Sequence, residues 1–216
     1  MPPEITIPGN HPLLIATSNP HKVDEIRAVL DPLGFHLDDL RSIVPPPQEP
    51  LEDAPTFAGN ARIKATAYAR MTGRWCLADD SGLEVDALGG QPGVHSARYA
   101  RHSDGSLYAN RKFQDKANNR ALLDALVDVP DMQRTARFVC AMCIADPDGH
   151  IIAESRGEFA GVIVTDGPRG CNGFGYDPLL YIPELNCTSA ELAPTEKNAR
   201  SHRGHAARAI ASMLLR

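Results

Sequence analysis

At 216 residues, 43% of them hydrophobic and 23% charged, the chain has the composition of an ordinary soluble globular protein and the length to bury a sizeable core. A formal net charge of −5 offers no basic field for nucleic acid, and no run approaches the ~18 apolar residues of a membrane helix. Five cysteines without framework spacing argue for free thiols in a reducing compartment, and no basic N-terminal region precedes an apolar stretch, so the expected location is cytoplasmic.

Residues 1–12, rich in Pro and Gly, read as a flexible leader, and 13–216 as one domain. Leu13 to Thr17 reads as a buried strand. Val23, Ile26, Val29 and Leu30 then recur at helical spacing over Asp24 to Leu30, ended by Pro32 and Gly34. Arg41 to Pro55 carries five prolines and must be largely irregular, whereas Thr56 to Met71 places Phe57, Ala61, Ala65 and Tyr68 on one helical face. Trp75 to Ala78 reads as a short strand ending in a turn at Asp79, Asp80, Ser81 and Gly82. Asn110 to Leu126 is expected to be a helix, Ala136 to Ala145 a strand, and His150 to Ser155 its hairpin partner after a turn at Asp146 to Gly149. Cys140 and Cys143 form a C-x-x-C, but three residues apart on a strand they face opposite sides, against a redox or zinc pair. Gly157 to Val164 reads as a further strand, and Ser201 as the N-cap of a last helix through Leu214.

Thr17, Ser18, Asn19, Pro20, His21 and Lys22 join a strand to a helix, where backbone amides and the helix dipole favour an anion; a capped turn is an equally good reading, since the P-loop pattern is missing. Asp79 and Asp80, with Ser81 and Gly82 turning the chain away, can supply oxygen ligands to Mg²⁺ and a base for water, Asp80 being the choice for the metal; mere turn acids are the alternative. Glu49, Glu52 and Asp53 are acids in the proline-rich loop among which spacing does not choose. Phe174, Gly175, Tyr176 and Asp177, followed by Lys197, His202 and Arg203, combine aromatic faces able to stack on a base with donors for ring oxygens or phosphates. His202 and His205 lack a third ligand for zinc, and Arg203 between them opposes a cation.

In order, T-S-N-P-H-K at 17 to 22, Glu52 before T-F-A-G-N-A, A-D-D-S-G-L at 78 to 83, L-G-G-Q-P-G-V-H-S-A-R-Y at 88 to 99, G-F-G-Y-D-P at 173 to 178 and E-K-N-A-R-S-H-R-G at 196 to 204 resemble the inosine triphosphatase family of noncanonical purine NTP pyrophosphatases. The resemblance spans about residues 13 to 215, with Ser18 where the family commonly has Gly. It implies an α/β fold, an elongated mixed sheet with flanking helices and two lobes around a cleft. It also implies a homodimer and Mg²⁺-dependent cleavage of ITP, dITP or XTP to monophosphate and pyrophosphate. On this resemblance Thr17 to Lys22 hold the triphosphate, Glu52 and Asp80 engage Mg²⁺, and Asp80 takes the proton of the attacking water, supported by Asp79 and Ser81. Phe174 and Tyr176 stack or wall the purine, while Asp177, Lys197, His202 and Arg203 shape its polar recognition. Donors there favour a 6-oxo base over adenine. The competing functions are a non-catalytic purine nucleotide sensor, which needs no metal-bound base, and a phosphohydrolase releasing orthophosphate.

Overall fold

Three consecutive residues, Leu13, Leu14 and Ile15, form β1 (Leu13–Ile15) and are all inaccessible to solvent. A strand apolar on both faces belongs inside a parallel, helix-covered sheet. β1 accordingly pairs in parallel with β2 (Leu37–Asp39) and with β3 (Cys76–Val85). The computed structural model describes residues 12–214; the expected leader, save Pro12, lies outside the described residues. Among them the sheet has seven strands in the order β2-β1-β3-β4-β5-β6-β7, completed by β4 (Thr135–Ala145), β5 (Ile151–Ile163), β6 (Leu180–Ile182) and β7 (Cys187–Thr188). β6 pairs antiparallel with β5 and with β7, so the sheet is mixed and the α/β class holds.

The chain divides into two compact units. The first, residues 1–80, 140–158 and 201–216, contains α1 (Pro20–Leu30), α2 (Phe57–Thr72) and α5 (His202–Leu214). Its core joins Val23, Ile26 and Leu30 of α1 and Ala206, Ala207 and Ile210 of α5 to Leu13, Ile15, Leu77 and Met142 of the strands. Each Leu or Ile buried there contributes about 1.5–3 kcal/mol. The second unit, residues 81–139 and 159–200, contains α3 (Arg111–Ala125) and α4 (Pro194–Arg200) around Leu83, Val85, Leu122, Phe138, Phe159 and Leu180.

Helix starts follow side-chain capping. Asn19 accepts from the His21 N–H, Thr56 from Gly59, Asn110 from Phe113 and Ser201 from Gly204. α1 starts at Pro20, earlier than its apolar spacing indicates, which puts Lys22 in its first turn.

Two expectations are corrected. Asp79 to Gly82 are not a turn: β3 runs ten residues through them. Gly82 serves close approach, because a Cβ there would lie 2.3 Å from Ser96 Oγ and 2.7 Å from the Gly93 carbonyl oxygen. Likewise His150 to Ser155 and Gly157 to Val164 are not two strands but one, β5, of 13 residues. Gly157 admits the backbone of α5: its Cβ would meet the His202 carbonyl oxygen at 2.1 Å. The expected hairpin between β4 and β5 forms, since neighbours joined across residues 146–150 are too closely linked to run parallel. β2, α4, β6 and β7 carry no periodicity long enough to anticipate.

Candidate active site

Asp79 and Asp80 are both buried near the middle of β3, and their contacts do not overlap. Asp79 Oδ2 accepts from Lys22 Nζ at 3.0 Å and from Nε and Nη2 of Arg203, both at 3.3 Å, with the Cys140 thiol at 3.8 Å. Arg203 also pairs with Glu25 of α1. Burial alone would raise the Asp79 carboxyl, but Lys22, Arg203 and Lys64 hold it well below the usual carboxylate range. The same burial would lower Arg203, which Glu25 and Asp79 instead hold above its ordinary value.

Asp80 serves α2. Its Oδ2 accepts from Asn60 Nδ2 at 3.2 Å and its Oδ1 from Lys64 Nζ at 3.2 Å; the same ammonium donates to Glu52 Oε2 at 2.8 Å. Burial opposes the Lys64 charge, yet Asp80, Asp79 and Glu52 raise its pKa above the ordinary lysine value. Glu52 and Asp80, chosen above as metal ligands, thus converge on one cationic point, with Glu52 still 24% exposed. Hard carboxylate oxygens so arranged fit Mg²⁺, which would compete with the Lys64 ammonium. A second acidic group, Asp146, Asp148 and His150, lies on the β4–β5 turn. There Asp146 already accepts from the amides of Asp148 and His150 and contacts the His150 ring.

At the start of α1 Thr17, Ser18, Asn19, Pro20, His21 and Lys22 are contiguous. The Asn19 N–H donates to Thr17 Oγ1 at 3.3 Å, and Ser18 Oγ lies 3.4 Å from Glu49 Oε1. Ser81 follows Asp80 on β3 and is partly buried.

In the second unit the turn bearing Phe174 is built on Asp177. Asp177 Oδ2 accepts the Phe174 N–H at 2.8 Å and Lys197 Nζ at 2.6 Å; Oδ1 accepts the Ser189 hydroxyl at 2.8 Å. Gly173, at φ +75°, has no room for a side chain, since a Cβ would fall 2.1 Å from Asp177 Oδ2. Lys197 Nζ lies 5.4 Å from the centroid of the half-buried Phe174 ring, a cation–π contact. Tyr176 is placed differently from an open wall: only 4% exposed, it packs in the apolar core and donates to the Ser96 carbonyl at 2.9 Å. Burial pushes its phenol far up. Arg203 and the buried His202 belong to the first unit, where Arg203 lies beside Asp79.

The sequence of the chain matches the Ham1 family over residues 13–213. The chain belongs to the Ham1 family. Family membership is matched by relatives of near-equal length. A dITP/XTP pyrophosphatase of an Exiguobacterium species is 46% identical over 94% of this chain and 96% of its own. Another so named, from Thermus thermophilus, is 44% identical over 92% and 89%. Among solved structures, a HAM1 protein of Coxiella burnetii superposes with a TM-score of 0.80 at 36% identity, covering 95% of this chain and 98% of that one. A nucleoside-triphosphatase, dITP/XTP pyrophosphatase, of Mycobacterium abscessus gives 0.69 at 42% identity over 94% and 98%.

Lys64, Asn60, Glu25 and Ser189 were missed by sequence reasoning. Lys64 and Asn60 did leave a signal: they interrupt the buried face of α2 at positions four apart, where an amphipathic helix has apolar residues. Glu25 and Ser189 left none, being an acid on a helix and a hydroxyl in a short 3₁₀ turn.

Proposed function

We propose that this Ham1 protein is a hydrolase that cleaves noncanonical purine nucleoside triphosphates, ITP, dITP and XTP, to the monophosphate and pyrophosphate, clearing them from the nucleotide pool with Mg²⁺ as cofactor. The relatives' names supply the reaction class. The observation that carries the reading to residues is the meeting of Asp80 and Glu52 at Lys64 Nζ, beside an Asp79 held ionised by Lys22 and Arg203.

Asp80 is the general base in this reading, accepting the proton of the water that attacks the α-phosphate. Asn60 and Lys64 orient its carboxylate, and Asp79 holds Lys22 toward the triphosphate carried by Thr17 to Lys22. Ser81 supports the pair. Glu52 and Asp80 would hold Mg²⁺, which when bound supplies positive charge to the phosphate oxygens and the leaving pyrophosphate. Phe174 stacks on the base over the Lys197 cation, with Gly175 and Asp177 shaping the turn; Tyr176 supports it from the core. His202 and Arg203 start α5, where Arg203 orders Asp79.

The enzyme is further read as a cytoplasmic homodimer acting on free nucleotides, without nucleic acid or membrane partners; no helix among the described residues is long and apolar enough to cross a membrane. Residues 13–216 are read as one functional domain, because β3, β4 and β5 each contribute residues to both compact units.

The test is incubation of the purified protein with ITP, XTP, GTP and ATP, with Mg²⁺ or EDTA, and separation of products by ion chromatography. Mg²⁺-dependent IMP or XMP together with pyrophosphate is expected. Orthophosphate as the product, or ITP binding without turnover, would overturn the assignment.

A further inference from the structure

Two carboxylates grip consecutive amides of the turn that carries Phe174. The Phe174 N–H donates to Asp177 within the turn, and the Gly175 N–H donates to Asp115 Oδ2 at 3.1 Å, from α3, 60 positions earlier in the chain. Gly175 has φ +62°, the left-handed conformation that glycine adopts without strain. The other Asp115 oxygen accepts from Arg111 Nε at 2.9 Å, one helical turn back. The side chain of Asp115 is therefore fixed at both oxygens while 17% exposed.

This contact is not what holds α3 in place. Leu122 packs in the apolar core, and Gln114 and Asn118 bind the backbone of Ala100 and Ser96. Asp115 takes no part in that network. Its Oδ2 instead makes a charge-assisted bond to the backbone at the residue following Phe174. Asp177, Lys197 and Ser189 fix the N-terminal side of the turn, so Asp115 supplies the constraint on the opposite side of the Phe174 ring's attachment.

We propose that Asp115 is a positioning residue for base recognition: by holding the Gly175 amide it fixes the Phe174 ring as a platform and so sets the affinity for the purine. The proposal rests on the reading of Phe174 as the stacking surface. The partners of Asp115 are the Gly175 amide and Arg111, not Lys22, Glu52 or Asp80, which are read above as serving the triphosphate and the attacking water, so its removal should act on base binding and leave the chemical step alone.

The experiment first establishes wild-type turnover of ITP in the full chain; failure to form IMP and pyrophosphate would defeat the functional assignment itself, independently of Asp115. Product inhibition by IMP and by pyrophosphate is then measured for Asp115→Ala, Asp115→Asn and Asp115→Glu, with melting temperatures. Asp115→Ala should raise the KM for ITP and the Ki for IMP about tenfold, the scale of one lost charge-assisted hydrogen bond, with kcat and the Ki for pyrophosphate within about twofold of wild type. Asp115→Asn, which keeps a carbonyl acceptor, should stay near wild type. Asp115→Glu, which displaces the acceptor by one methylene, should weaken IMP alone and carries the test if the alanine variant does not fold. An IMP Ki unchanged in the folded alanine and glutamate variants, or IMP and pyrophosphate weakened together, would overturn the proposal.

Discussion

A strand sends neighbouring side chains to opposite faces, and Asp79 and Asp80 use this to divide two tasks between adjacent residues. Asp79 meets Lys22 and Arg203, cations of α1 and α5; Asp80 meets Asn60 and Lys64 of α2. Asp80 shares the Lys64 ammonium with a second acid, Glu52, and is the general base of the proposed reaction. Asp80→Asn should therefore lower kcat by ~10² or more with the melting transition preserved, the scale of a lost general base. Near-normal turnover of a folded variant would remove Asp80 from the reaction. Tyr176 invites the opposite expectation. Its hydroxyl shares the Ser96 carbonyl with Asn118 Nδ2, which lies 3.1 Å away, so Tyr176→Phe still leaves that carbonyl the Asn118 donor. A loss of about 0.5–1.5 kcal/mol in urea unfolding, with the KM for ITP unchanged, is the expected result. A several-fold rise in KM would instead make Tyr176 part of the base surface.

At the scale of elements, what was legible is what is local. Asn19, Thr56, Asn110 and Ser201 cap their helices as their residue types suggest, and apolar spacing marks α1, α2 and α5. The failures come from partners distant in sequence. D-D-S-G has turn composition, but as part of β3 its acids are satisfied by cations from three helices, which no local pattern reveals. The candidate site was legible as residue types, in Lys22, Asp79, Asp80 and Phe174; their groupings were not, and Arg203 joined Asp79 only when α5 was laid against the sheet. Gly157 shows how close that packing is. It looks like a strand break and is the point where β5 touches the first turn of α5, with no space for a Cβ beside the His202 carbonyl oxygen or the Ala206 nitrogen. Because both obstacles are backbone, Gly157→Ala should cost about 1–3 kcal/mol and lower the melting temperature by several degrees. A variant as stable as wild type would mean that α5 shifts freely on the strand.

Over the whole molecule, each compact unit buries its own set of charges: Asp79, Arg203 and Lys64 in the first, with Lys22 half-buried beside them, and Asp177 and Lys197 in the second. Buried ions stabilise only while paired, so stability should follow pH with a definite sign. The folded-state pKa of Asp79 lies below its unfolded value. Its contribution is thus present above the unfolded carboxylate range, about pH 4 to 5, and is lost as pH falls toward the folded value. Lys64 is shifted upward. Its contribution is complete below the unfolded lysine value, about 10.4, and is lost as pH rises through the higher folded one. Between these limits the pairs hold on both sides. Asp79→Asn leaves Arg203 and Lys22 without their shared counter-charge, though Glu25 still pairs with Arg203. Its cost should be about 3 kcal/mol or more at pH 7, the penalty for breaking a buried pair. Protonating wild-type Asp79 has the same effect on its partners, so the gap between the two proteins should narrow steadily as pH falls below 4. Urea unfolding of both at pH 7, 5 and 3 reads this directly; a gap of constant size would show that the Asp79 charge does not stabilise the fold.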